Sequence, residues 1–155
     1  MYELVYGSIF DKKCDIIIPG NQMGEVTRSV ERNLIAKGTL MLPTVKEPGD
    51  IAFGESQGNF TNALVIGFAA SVDGITGRSK LDYLHKICKK IKDYCEFNSL
   101  SIINMPLLGT GHGGLSVRDS FEILKSYFES EANINLKIFA FSKEIYSQLD
   151  KIEKL

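Results

Sequence analysis

The sequence has no tryptophan, three cysteines, two histidines and four prolines in 155 residues. Cys14, Cys88 and Cys95 are odd in number and contain no C-x-x-C pair. They do not read as a disulfide framework, and reduced thiols of a cytoplasmic protein are expected. His85 and His112 are too few and too separated for a metal centre, so neither a metal nor a cofactor is expected. Neither sign of charge prevails: 18 Lys and Arg face 19 Asp and Glu, a net charge of −1. Nonspecific nucleic-acid binding needs a clear cationic excess, and that class is set aside. No apolar run approaches the roughly 20 residues that span a bilayer, so no membrane partner is expected. Met1 to Tyr6 lacks a basic leader followed by a long apolar stretch, and it reads as a first strand rather than a signal peptide.

What is present suits an ordinary globular chain, with 44% hydrophobic and 24% charged residues. A chain of this length buries roughly 68–70% of its unfolded surface, and one domain over residues 1–155 is expected. Short apolar runs at Glu3–Tyr6, Asp15–Ile18, Ala63–Phe68, Ser101–Met105 and Leu136–Phe141 read as strands. The run Cys14–Ile18 does not alternate, which points to a strand covered on both faces. Asp50–Phe53 reads as a further short strand in a loop-rich middle from Thr39 to Asn62.

Between the strands the period changes. Leu81, Leu84, Cys88, Ile91 and Cys95 recur at helical steps behind Ser79, read as the N-cap. Val117, Phe121, Leu124 and Phe128 do so behind Ser116, with Asp119 completing an acidic capping box. Val26, Val30 and Leu34 mark a helix ending before Gly38, and a last helix is expected over Ser142–Ile152. Strands alternating with helices give an α/β layered domain. Cys88 and Cys95 then lie on an apolar helix stripe as core thiols, and Cys14 opens a buried strand. Lys86, Lys89, Lys90 and Lys92 fall opposite that stripe as a solvated face.

The most informative segment runs from Ile102 to Ser116, where a strand enters a loop with Gly109, Gly111, Gly113 and Gly114 and leaves into a capped helix. Glycines let backbone N–H groups turn toward a ligand that approaches closely, and the helix N-terminus adds a positive dipole end. Leu108, Gly109, Thr110, Gly111, His112, Gly113 and Gly114 thus form a candidate phosphate or diphosphate cradle. His112 reads equally as a ligand contact and as an exposed loop side chain. Gly109, Gly111 and Gly114 match G-x-G-x-x-G, but no acidic residue ends the next strand at Phe141-Ser142, which argues against a dinucleotide fold. No Gly-Lys-Ser/Thr follows, which excludes a P-loop. Near the start, Gly7-Ser8-Ile9 precedes a strand that ends in Pro19-Gly20-Asn21, a turn that presents Asn21 beside the sheet.

In their order and spacing these segments resemble a macro domain, the ADP-ribose-binding module, over nearly the whole chain. Gly7-Ser8-Ile9 stands for the G-D-I turn, Asp15 to Asn21 for the second strand, Met23-Gly24-Glu25-Val26-Thr27 for the glycine-rich stretch, and Met105-Pro106 to Gly114 for the late loop. The resemblance implies a three-layer α/β/α fold with a mixed, about six-stranded central sheet. It implies a cleft at the strand ends that takes ADP-ribose, a derived nucleotide or an ADP-ribosylated macromolecule. On this reading Ser8, Ile9, Gly20, Asn21, Gly24 and Val26 are ligand-binding residues, Ser8 at the position that contacts the adenine, and Phe141 and Ser142 stand where relatives stack on the adenine.

The departures bear on function. Ser8 replaces the acid that usually contacts the adenine amino group, only Gly24 remains of a three-glycine loop, and Thr27 replaces the Asp that assists hydrolysis in catalytic relatives. Threonine is no base at neutral pH. Asn21 is the one catalytic candidate, with Glu25 and Asp11 as substitute carboxylates. A binding module, with a role in ADP-ribose signalling, is therefore favoured over an ADP-ribosyl hydrolase, and a scaffold with a vestigial cleft is the third reading.

Overall fold

A non-alternating apolar strand is stable only with cover on both of its faces, and the structure supplies a buried cluster on each side of one sheet. The computed structural model describes residues 1–22, 25–26, 47–56, 62–110, 113–140 and 142–155, at 20–22 and 25–26 the backbone alone. In chain order the elements are β1 (Tyr2–Tyr6), β2 (Cys14–Ile17), β3 (Gly20–Gln22), β4 (Glu25–Val26), β5 (Ile51–Glu55) and β6 (Ala63–Ala70). Then follow α1 (Leu81–Asn98), β7 (Ile102–Pro106), α2 (Val117–Phe128), β8 (Asn135–Ala140) and α3 (Lys143–Glu153).

The strands form one sheet in the order β1-β8-β7-β2-β6-β3-β4, with β5 also paired to β6. β1 and β7 run parallel to β8, β2 runs parallel to β7 and β6, and β3 to β6. β5 and β4 are antiparallel to their partners, so the sheet is mixed. β2 and β3 occupy one edge of β6, opposite Ala63–Ile66 and Ala69–Ala70. Pro19 lies in the break between them, where it has no N–H to give the ladder. Taken as one broken strand, and with the two-residue β4 aside, they leave six strand positions, as the resemblance implies.

Neighbouring strand residues point to opposite faces. Ile16 joins the cluster under the helices, with Ile103, Met105, Leu136 and Ile138, whereas Ile17 joins Ile66, Phe68 and Phe139 on the other face. Each such side chain contributes about 1.5–3 kcal/mol by leaving water. α1 buries Leu84, Ile87, Cys88, Ile91 and Cys95. Leu81, expected on that stripe, is 42% exposed at the first helical position, and Ile87 is buried instead. All three cysteines are free and buried, and burial pushes each thiol up to about 12, which removes nucleophilic character.

The expected cap at Ser116 is present, and Ser142, read only as the start of the last helix, caps α3. The Ser116 hydroxyl accepts from Asp119 N–H at 3.0 Å and that of Ser142 from Ile145 N–H at 3.1 Å. Ser79 is not a cap: Lys80 takes that position with no side-chain bond, and the Ser79 N–H donates to the Gly113 carbonyl at 2.8 Å. Val26, expected to open a helix, lies in β4 opposite Asn21, and Val30 and Leu34 fall outside the described residues. Among the described residues no helix is long and apolar enough to cross a membrane.

Candidate functional site

Strands with a common direction bring their carboxyl ends to one rim, where ligands of open α/β sheets bind. Here β1 leads to Ser8 and Ile9, β2 to the β3 segment with Gly20 and Asn21, β6 to residues 71–80, β7 to residues 107–116, and β8 to Ser142.

The loop after β7 is held from within. Leu108 is buried, its carbonyl accepts from the Ser120 hydroxyl at 2.8 Å, and Leu115 N–H closes onto the Gly109 carbonyl at 3.0 Å. The Thr110 hydroxyl donates to the Leu107 carbonyl at 3.2 Å. Gly109 and Gly114 take φ values of +77° and +84°, which favour glycine. The space is also closed to a side chain: a Cβ at Gly109 would stand 2.6 Å from Ser79 Oγ and 2.7 Å from Leu115 Cδ1. Among the described residues the N–H groups of Gly109, Thr110 and Gly114 have no hydrogen-bond partner. α2 begins just beyond, with its unpaired first N–H groups and positive dipole end.

The loop after β6 packs against this one. The Asp73 carboxylate accepts from Ile75 and Thr76 N–H at 2.8 and 3.3 Å, and Asp73 N–H donates to the Arg78 carbonyl at 2.9 Å. This turn sets Ser79 under Gly109 and lays Arg78 across Gly114, where a Cβ would stand 2.7 Å from Arg78 Nη1.

The loop after β1 is fastened to the middle of the sheet. Ser8 N–H donates to Asp11 Oδ2 at 2.8 Å, and the Ser8 hydroxyl accepts from Phe10 N–H at 3.2 Å. Asn104 Nδ2 donates to the carbonyls of Ile9 and Lys12 at 3.1 and 2.9 Å. Ile9 is buried in the second cluster, whereas Ser8 beside it is exposed.

Of the residues singled out by sequence, the structure thus brings Ser8, Gly20, Asn21, Thr110, Gly113, Gly114 and Ser142 to the carboxyl rim, with Ile9, Leu108 and Gly109 beneath it. The Ser142 hydroxyl is engaged as the α3 cap. Val26 pairs with Asn21 in β4. Gly24, Gly111, His112 and Phe141 fall outside the described residues. Asn104, Arg78 and Ser79 were missed. An Asn inside the apolar run Ile102-Ile103-Asn104-Met105 was the available signal for the first, because a buried amide needs partners. Arg78 and Ser79 lie far from the glycine loop in sequence, and nothing short of the fold joins them. Among the described residues no cluster of three or more His, Cys, Asp or Glu is placed to hold a metal.

No protein-family model and no curated protein matches the sequence. Solved structures do match. The macrodomain of Mycobacterium tuberculosis DarG is 17% identical, with a TM-score of 0.71, over 92% of this chain and 100% of that one. The Oceanobacillus iheyensis macrodomain with MES bound is 14% identical, TM-score 0.74, over 99% and 90% of the two chains. The Trypanosoma brucei macrodomain in complex with ADP-ribose is 16% identical, TM-score 0.73, over 97% and 68%. At these identities what is shared is the α/β/α architecture, and this chain folds as a macrodomain.

Proposed function

We propose that the chain binds ADP-ribose, or a nucleotide or ADP-ribosylated group derived from it, across the carboxyl rim, with the diphosphate on the Gly109–Gly114 loop. The observation that carries this reading is the set of N–H groups at Gly109, Thr110 and Gly114 that have no partner among the described residues, with Gly109 and Gly114 at positive φ, before the N-terminus of α2. Backbone donors and a helix dipole together favour a bound anion. The Trypanosoma brucei macrodomain, which shares the fold, is known in complex with ADP and with ADP-ribose. Ser8 and Ser142 stand at the adenine side, Asn21 at the ribose side.

Binding without turnover is favoured because, among the described residues, the loop carboxylates Asp11, Asp73 and Asp50 are engaged. Asp11 accepts from Ser8 N–H, Asp73 from Ile75 and Thr76 N–H, and Asp50 pairs with Lys90. A general base must be free to take a proton from water. An ADP-ribosylated protein incubated with the chain should retain its label, and release of ADP-ribose would replace this reading with the hydrolase one. Calorimetric titration with ADP-ribose tests the site itself. Gly111→Glu sets a carboxylate in the anion loop and should abolish binding while the melting temperature holds. Wild-type affinity in that variant would move the diphosphate elsewhere.

A further inference from the structure

We propose that Arg78 and Ser79 complete the anion site from the neighbouring loop, as charge partner and hydrogen-bond donor for a diphosphate group. The inference rests on the ADP-ribose reading for where the anion lies, and it adds the cation that the glycine loop lacks. Leu107 to Ser116 contains no Lys or Arg, and backbone dipoles supply only partial charge against an anion with two negative charges.

Three observations point to the pair. First, Arg78 is exposed and in no ion pair among the described residues, so its charge is available beside the loop. The acid nearest in its own turn, Asp73, is engaged by the N–H groups of Ile75 and Thr76. Second, the guanidinium passes over Gly114, with Nη1 2.7 Å from where a Cβ would stand, so it adjoins an unpartnered loop N–H. A guanidinium presents a planar fork of donors that matches two phosphate oxygens. Third, Ser79 is 9% exposed and its Oγ has no hydrogen-bond partner, although it faces the loop at Gly109. Buried hydroxyls are nearly always paired, and one that is not marks a place where a ligand, ion or water supplies the bond.

The two residues are placed there by tertiary contact. The Asp73 turn fixes the loop after β6, and the Ser79 N–H to Gly113 carbonyl bond joins it to the glycine loop. Arg78 and the N-terminus of α2 then offer positive potential to one anion from two elements. A diphosphate ester fits this arrangement better than a neutral ribose or a monophosphate.

The test is calorimetry on the parent, Arg78→Gln and Ser79→Ala, titrated with ADP-ribose and with inorganic pyrophosphate at two salt concentrations. Arg78→Gln should weaken both ligands about tenfold or more, the loss of a charge-assisted hydrogen bond, and should flatten the salt dependence. Ser79→Ala should weaken both several-fold with the melting temperature unchanged or raised. If the parent binds ADP-ribose and both variants bind it equally well with the same salt slope, the inference falls and the ADP-ribose reading stands. If pyrophosphate binds and depends on Arg78 while ADP-ribose does not bind, the inference stands and the ADP-ribose reading falls. Failure of the parent to bind either ligand overturns both.

Discussion

The two ends of the sheet differ in how their polar groups are used. At the amino end, a cavity of about 640 Å³ is lined by residues that include Lys92, Glu96, Ser101, Glu131 and Asn133. Its surroundings are internally matched. Lys92 pairs with Glu131, and the Asp15 carboxylate accepts from Ser101 N–H, the Ser101 hydroxyl and Ile102 N–H. At the carboxyl end, the N–H groups of Gly109, Thr110 and Gly114, the Ser79 hydroxyl and the Arg78 guanidinium have no partner among the described residues. Space alone therefore does not locate a site. Groups that the fold orders without satisfying do, since an ordered and unpaired polar group has a bond to offer a ligand.

Substitutions at the two ends should separate stability from binding. Asp15→Ala removes the acceptor for two backbone donors and should cost about 1–3 kcal/mol of folding free energy. ADP-ribose affinity should be unchanged, as read from a denaturant titration beside calorimetry. A loss of affinity as large as the loss of stability would mean that the two ends are not independent. Ser116→Ala, at the carboxyl end, removes the cap of α2 and should cost about 1 kcal/mol. Ser116→Asp should restore it, and a denaturation midpoint equal to the parent's in the Ala variant would refute the capping role.

The smallest effect is expected at Asp50, at the outer edge where β5 meets α1. The hydrogen bond from Lys90 holds its carboxyl below the ordinary value of 3.8, outweighing the burial that acts in the opposite direction. A lowered folded value means that the ionised form is favoured by folding. The contribution is present above the ordinary carboxylate value and is lost as pH falls through the folded one. The pair is about half exposed, so Asp50→Asn should cost at most about 1 kcal/mol at neutral pH. The melting-temperature gap to the parent should close in acid. A gap that persists in strong acid would assign the effect to packing rather than charge.

Much of the sheet was legible from local pattern. The runs ending at Tyr6, near Ile18, at Phe68 and at Met105 each lie within one or two residues of the observed strand ends, because short apolar runs between turn residues have few other uses. The Ser116 cap was equally legible, since capping is decided within four residues. Ser79 misled for the same reason. As a small polar residue ahead of a helix it has the local form of a cap, but its backbone and hydroxyl are directed by Gly109 and Gly113, some thirty residues away. Leu81 likewise satisfies the helical period, yet at the first turn of α1 it is exposed.

The sequence by itself determined the α/β alternation, the reduced core thiols and the glycine loop before a capped helix. Each of these follows from residue type and short-range periodicity. Only the tertiary structure decided that β2 continues past Pro19 along the same edge of β6, that Asn104 ties down the Ser8 loop, and that Arg78 and Ser79 meet the glycine loop. Those contacts join residues distant in the chain, and they form because parallel strands separated by crossover helices must bring their carboxyl ends together.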